Sequence, residues 1–363
     1  MLIRSSERES SVFLVERFLS PTSAYIVSDI LFRVSGGYAP NTIEGKKNLL
    51  IKAPASIANL GPGFDILALA LKGLYDTVSI TISPGTGLIQ VVSSGYDVPS
   101  GRDNVAYAVA REFTKRFSAR NLDIYIEVQK GVPPACGLGS SAATAAAVAY
   151  GLSKALGITM SDEDLLHLAG IGELHASGSL HYDNVAASLF GGIVIVDVES
   201  KTVLRKVPEI QVPLAVVTPL LPGLRGLRKT EYARSLLPRC VALETHVRQS
   251  SALAKLLFGL MTNNLELVGK AMSIDYVAEP YRSKLIPHYF ELKQLALSHG
   301  ALGFNISGAG PSVFLVHRTM EEAKNTALVL AEFLESKGVE TTIHVSTISP
   351  KGVELVGERS EEN

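Results

Sequence analysis

The segment Gly131-Val-Pro-Pro-Ala-Cys-Gly-Leu-Gly-Ser-Ser-Ala142 runs directly into an alanine-rich stretch, Ala142 to Leu156, which predicts a helix stopped by Gly157. Gly137 and Gly139 let the backbone turn and come close to a ligand. Ser140 and Ser141 sit where the helix starts. The first N–H groups of a helix lack intrahelical partners, and its dipole places partial positive charge there. A phosphate suits such a place. Ala142, Ala143, Ala145, Ala146 and Ala147 are small enough to bring the helix close to a sheet. On shape alone the same residues also make a plain glycine-rich turn with a serine N-cap. G-x-x-x-x-G-K-[ST] is absent, which removes an ordinary P-loop. Gly137-x-Gly139-x-x-Ala142 fits a relaxed dinucleotide fingerprint, but Pro133 and Pro134 interrupt the strand leading into it. No acidic residue ends a following strand about twenty residues on, so the Rossmann reading is weak.

Around this segment the chain alternates strands and helices. LLIKAP, YDTVSITIS and LDIYIEVQ read as strands, the last with Leu122, Ile124, Ile126 and Val128 on one face. Asn104 to Phe117 predicts an amphipathic helix, and Ser161 caps another running to Ser177, with acids in its first turn. GGIVIVDV (191–198) and PLAVVTP (213–219) read as strands. Then come helices over Glu231–Leu237 and Val241–Leu260, a strand in PSVFLV, a helix from Met320 to Lys337, and strands at TTIHVS and GVELV. Three regions are expected: an extension over 1–48, an α+β half over 49–215, and a second over 216–363. The extension holds two short apolar patches and a linker-like SGGYAPNTIEGKKN, and reads as an appendage or as upstream sequence joined to a later start.

The 363 residues predict two domains at about 150 residues each. An apolar share of 47% against 19% charged excludes disorder along the whole chain. Lys plus Arg number 34 and Asp plus Glu 35, a net charge of −1, which argues against a general nucleic-acid binder while leaving room for a small anion. Cys136 and Cys240 are too few for a disulfide framework. Cys136 is read as a small loop residue and Cys240 as an inert helix residue. No run of about 18 uncharged apolar residues is present, and the N-terminus lacks the layout of a secretion signal. A cytoplasmic protein with no membrane partner is expected. His167, His175 and His181 fit no metal-ligand spacing, and the first two are read as structural.

Four segments, in order over about residues 49 to 356, resemble the motifs of the GHMP kinase superfamily. P-x-x-x-G-L-G-S-S-A resembles its phosphate-binding loop. Ala53-Pro-Ala-Ser-Ile-Ala-Asn-Leu-Gly-Pro-Gly-Phe-Asp65 resembles the first motif of homoserine kinases, and His181-Tyr-Asp-Asn184 with Phe190-Gly191-Gly192 resembles their middle segment. Ile306-Ser-Gly-Ala-Gly-Pro-Ser312 resembles the superfamily's third motif. Mevalonate-type relatives carry a lysine at the position of Ser56 and a catalytic aspartate at that of Asn184. Both departures resemble homoserine kinases, and both put a standard aspartate base in doubt, because an amide accepts no proton at neutral pH.

The resemblance implies an α+β, two-domain GHMP kinase fold: a ribosomal protein S5 domain 2-like N-terminal domain and a ferredoxin-like C-terminal domain. It implies an ATP-dependent homoserine kinase making O-phospho-L-homoserine for threonine biosynthesis. ATP would lie on Pro133, Pro134, Ala135, Cys136, Gly137, Leu138, Gly139, Ser140, Ser141, Ala142 and Ala143, with Asn104 beside the adenine. Ser141 and Glu173 would hold Mg2+, a cation served by one carboxylate plus phosphates. Asn59 and Asp65 match residues that hold the amino group, Arg234 and Arg282 the carboxylate-binding arginines, and His181 and Asn184 residues near the hydroxyl. Gly308 belongs to the same substrate set. Asn184, His181, Ser141 and Glu173 form the implied catalytic group. The partners implied are L-homoserine and no nucleic acid, with a homodimer left open. The competing readings are a sister kinase of the shikimate or mevalonate type and a catalytically silent ligand sensor on the same fold.

Overall fold

The computed structural model describes residues 45–207, 211–221 and 229–361, and the account below concerns these. The expected extension lies outside the described residues up to position 44. Its last three residues open the first strand, β1 (Lys46–Ala58), three positions ahead of the expected domain start. β1 pairs antiparallel with the long β2 (Leu67–Pro84), from Lys47 opposite Ile82 to Ala58 opposite Ala68.

β3 (Ile89–Ser94) and β4 (Leu122–Gln129) are parallel neighbours joined through helix α1 (Val105–Arg116). Asn104 starts that helix by accepting Ala106 N–H at 2.9 Å. In β4 the residues Leu122, Ile124, Ile126 and Val128 are all buried, as their alternation predicts. β5 (Ile193–Val196) pairs with β2, and β6 (Val203–Lys206) with β5. The last strand, β11 (Glu354–Glu361), returns to pair with β1 and completes a seven-stranded sheet ordered β11-β1-β2-β4-β3, with β5 and β6 off β2.

Helix α2 (Ser140–Ala155) packs on β1 and β2, and α3 (Asp162–Ser177) and α4 (Asp183–Phe190) pack against it. The alanines of α2 at 142, 143, 145, 146, 147 and 149 are fully buried, so helix and sheet meet with little side chain between them.

The second sheet contains β7 (Leu214–Pro219), β8 (Gly303–Ile306), β9 (Val313–Val316) and β10 (Thr341–Ser346). It is antiparallel in the order β10-β7-β9-β8, so its strands lie 4-1-3-2 in chain order, the ferredoxin-like arrangement. Between β7 and β8 run α5 (Lys229–Ser235), α6 (Leu243–Met261), α7 (Leu265–Met272), the short α8 (Glu279–Arg282) and α9 (Tyr289–Ser298). α10 (Met320–Ser336) links β9 to β10 and opens with a complete capping box between Thr319 and Glu322.

Two expectations are corrected. The division at 215/216 falls inside β7, which pairs with β10 and β9, while residues 354–361 belong to the first sheet. Cys240 is exposed in the connection between α5 and α6 rather than in a helix. The alanine-rich helix begins at Ser140, as its serine pair predicts, with Gly139 in the left-handed region (φ 65°) as its N-cap.

Candidate active site

β4 delivers Lys130 to the floor of the glycine-rich loop, where its ammonium is buried against the Asp76 carboxylate of β2. Lys130 Nζ also donates to Ser140 O (2.8 Å) and Thr144 Oγ1 (3.0 Å), tying the loop floor to the start of α2. The second oxygen of Asp76 accepts the N–H groups of Gly131 (3.1 Å) and Val132 (3.0 Å). Ser140 Oγ donates back to Val132 O at 2.8 Å. Burial pushes the Lys130 ammonium down from its ordinary value while the Asp76 charge holds it up.

The loop itself fits between two others. A Cβ on Gly137 would lie 2.2 Å from Ser307 O, and one on Gly139 2.1 Å from Ser56 Oγ, so both positions need glycine for space as well as for their positive φ. Ser307 Oγ donates to Gly137 O (2.7 Å), Ser312 N–H to Cys136 O (3.2 Å) and Gly308 N–H to Ala58 O (3.2 Å). The β8–β9 loop of the second sheet therefore touches both the glycine-rich loop and the end of β1. Lys229, at the start of α5, donates to Ala135 O at 2.8 Å and to Gly310 O, and burial drives its ammonium down to about 7.

No side chain caps α2, so its first turn faces the cleft with the donors that suit a phosphate. Beside it, Ser141 Oγ donates to the buried carboxylate of Glu173 on α3. Burial pushes Glu173 up, against the Ser141 hydrogen bond and the Lys130 charge. This hydroxyl–carboxylate pair beside a helix start is the hard-oxygen chemistry a magnesium triphosphate uses.

Ser56 Oγ donates to Asn184 Oδ1 at 2.8 Å. The two positions at which the sequence departs from the mevalonate-type pattern are thus in contact, a neutral hydrogen bond standing where that pattern has a lysine and an aspartate. Asp183, next in the chain, is buried, and desolvation with the Asp65 charge pushes it up to about 7.

On the opposite wall Asn59 and Asp65 share the β1–β2 loop. Asn59 Oδ1 accepts Asp65 N–H (3.2 Å), and Asn59 Nδ2 donates to Gly308 O (3.1 Å), which also accepts from Arg282 Nη1 (2.9 Å). Arg234 on α5 donates to Asp65 Oδ2 at 2.5 Å and to His181 Nδ1 at 3.0 Å. An always-charged arginine on Nδ1 leaves the His181 proton on Nε2, facing Ser179 Oγ at 2.8 Å. Burial takes His181 down to about 4, so the ring is neutral near pH 7. The Nε atoms of Arg234 and Arg282 are buried with no hydrogen-bond partner among the described residues. Two guanidinium groups, a carboxylate and a neutral imidazole form a pocket able to take both ends of a zwitterion.

One cleft of about 880 Å³ is lined by Asn59, Asp65, Asn104, Pro133 to Gly137, Gly139 to Ser141, Glu173, His181, Asn184, Arg234, Arg282 and Gly308. Leu138, Ala142 and Ala143 are not in its lining: their side chains are buried in the core, though Leu138 O accepts Ser56 N–H at 3.1 Å. Asn104 reaches the cleft with its side chain committed to the α1 cap and to Pro99 O (2.7 Å). His175 also lines the cleft, its Nε2 lying 3.2 Å from Asp103 O. Asp76, Lys130, Asp183 and Lys229 carry much of the electrostatics and were not singled out from sequence as site residues. Only Asp183, beside Asn184, had a local signal.

Two family models match the chain: GHMP kinases N terminal domain over residues 104–192, and GHMP kinases C terminal over 252–336. A homoserine kinase of Thermoplasma volcanium is 35% identical over 302 residues, covering 83% of this chain and 94% of the relative. A homoserine kinase of Pyrococcus horikoshii is 34% identical over 308 residues, covering 82% and 96%. Among solved structures, homoserine kinase from Cytophaga hutchinsonii superposes with a TM-score of 0.78 at 31% identity, covering 88% of this chain and 99% of that one. Because identity at this level runs through nearly the full length of each relative, the chain belongs to the homoserine kinase family of the GHMP kinases.

Proposed function

We propose that this chain transfers the γ-phosphoryl group of ATP to the hydroxyl of L-homoserine, giving ADP and O-phospho-L-homoserine for threonine biosynthesis in the cytoplasm. The observation that carries the reading is the cleft's two unlike walls. One presents the open start of α2 beside the Ser141–Glu173 pair, and the other presents Asp65 with Arg234 and Arg282.

On the first wall the amides at the start of α2 and the loop backbone would cradle the phosphates, and Ser141 and Glu173 would hold Mg2+. The ion, when bound, supplies charge neutralisation on the triphosphate. On the second wall Asp65 and Asn59 would take the ammonium, and the guanidinium groups of Arg234 and Arg282 the carboxylate. Asn184, fixed by Ser56, and neutral His181 would orient the hydroxyl for in-line attack. Phosphoryl transfer passes through a loose transition state, so positioning and charge neutralisation supply most of the rate. The hydroxyl proton leaves late, to a phosphate oxygen or to water. Shikimate and mevalonate have no ammonium for Asp65, which favours an amino acid over either.

ADP release by the purified protein with Mg-ATP, compared across L-homoserine, shikimate, mevalonate and no acceptor, tests this. Turnover with homoserine alone is expected. Turnover with another acceptor overturns the substrate assignment, and tight ATP binding without turnover overturns the kinase reading.

A further inference from the structure

The β1–β2 loop spends backbone strain to place one aromatic ring. Asn59, Leu60 and Asp65 all have positive φ (73°, 49° and 59°), a region costly to residues with a Cβ. Within this strained loop the half-buried Phe64 ring lies 5.4 Å from the Arg234 guanidinium carbon and 5.1 Å from that of Arg282. The two arginines come from different helices, α5 and α8, and among the described residues only Arg234 is bonded to a carboxylate, that of Asp65. Arg282 is buried and reaches a carbonyl, Gly308 O. Two like charges converging on one pocket repel, and a π-face is a surface that attracts both without consuming their N–H donors. The Nε of each is buried with no hydrogen-bond partner among the described residues, so contact with the ring face is part of what holds each guanidinium in place.

We propose that Phe64 is a positioning residue that sets the two guanidinium groups for recognition of the substrate carboxylate, and so contributes to selection of an α-amino acid over a simple amino alcohol. The inference rests on the homoserine reading above. Asp65, the next residue, faces the opposite end of the same zwitterion, so a single dipeptide of this loop serves both of its charges. A ring that merely filled space would support every acceptor equally, whereas a ring acting through the arginines matters only for acceptors that carry a carboxylate.

The test compares Phe64→Leu and Phe64→Tyr with wild type on L-homoserine and on 3-amino-1-propanol, which keeps the ammonium and hydroxyl and lacks the carboxylate. In Phe64→Leu the homoserine KM rises about 10-fold or more, with kcat and the KM for Mg-ATP within about threefold. On 3-amino-1-propanol the variant matches wild type. Phe64→Tyr restores homoserine KM to near the wild-type value. Where the analogue turns over too slowly, its inhibition constant against homoserine gives the same comparison. An equal loss on both acceptors, or no loss on homoserine, overturns the proposal. If Phe64→Leu does not fold, the Phe64→Tyr and Phe64→Met variants carry the comparison, and a Met variant indistinguishable from wild type on homoserine overturns it as well. Failure of the wild-type protein to phosphorylate homoserine defeats the functional reading instead, so the two failures are separable.

Discussion

Asn in place of Asp76 isolates one charge beneath the glycine-rich loop. The isosteric amide keeps an oxygen for the N–H groups of Gly131 and Val132, but Lys130 loses its anion while remaining buried. Breaking a buried pair from one side costs about 3–5 kcal/mol. Neutralisation of Lys130 sets a ceiling. Taking an unfolded-state lysine near 10.4 down to pH 7 costs about 4.6 kcal/mol, at 1.36 kcal/mol per unit. Asp76→Asn should therefore lose ~3–4.5 kcal/mol at pH 7. Lys130 binds fewer protons folded than unfolded, so the stability of the variant rises with pH, and its deficit shrinks as pH climbs above 7. Adding Lys130→Met removes the stranded ammonium and should recover most of the loss. The chain has no Trp, so urea unfolding followed by far-ultraviolet circular dichroism is the assay. A deficit under about 1 kcal/mol, well below the 3–5 kcal/mol of a broken buried pair, or a double variant no better than the single, refutes the reasoning. A raised KM for Mg-ATP in Asp76→Asn should accompany the loss, since Lys130 ties the loop floor to Ser140.

Asn184→Asp should leave kcat within about tenfold of wild type or lower it; an increase by orders of magnitude in steady-state assays shows that a general base was missing. Arg282→Ala should raise the homoserine KM by about 10- to 100-fold, the worth of a charge-assisted hydrogen bond, with little change for Mg-ATP. Loss of ATP binding at unchanged homoserine KM removes Arg282 from the carboxylate site. Asp183 is raised from 3.8 to about 7 on folding, so the folded state binds more protons between those values and loses stability as pH rises through them. Asp183→Asn should unfold at higher urea than wild type at pH 8 and at nearly equal urea at pH 4; parallel pH profiles contradict the assignment.

The glycine-rich loop was readable because its chemistry is local: glycines for approach, a helix start for the anion, small residues for packing. The family resemblance implies that Asp65, Arg234 and Arg282 share one pocket, and all three line the cleft. What escaped was pairing at a distance. Asp76 and Lys130 are 54 positions apart, Ser56 and Asn184 128, and neither member of either pair carries a pattern that names its partner. Lys229 carries no motif of its own, yet its ammonium is buried between two loops. The division at 215/216 failed for the same reason. Strand sequences give no hint of which sheet they join, and β11 joins the one begun by β1.

That last pairing bears on how the protein is made. Lys46 stands opposite Glu361 and Lys52 opposite Glu354, so β1 leaves the ribosome long before one of its two neighbours. Synthesis runs at about 5–20 residues per second, and the entire second sheet emerges in between. Throughout that interval β1 is an exposed edge, open to wrong partners. β1 carries Lys46, Lys47 and Lys52, charges that discourage a second copy from adding there. Emergence of residues 354–361 thus becomes the step that completes the first sheet. Ribosome-bound chains stalled before residue 354 should bind no nucleotide tightly, even though every residue of the glycine-rich loop has long been outside the tunnel.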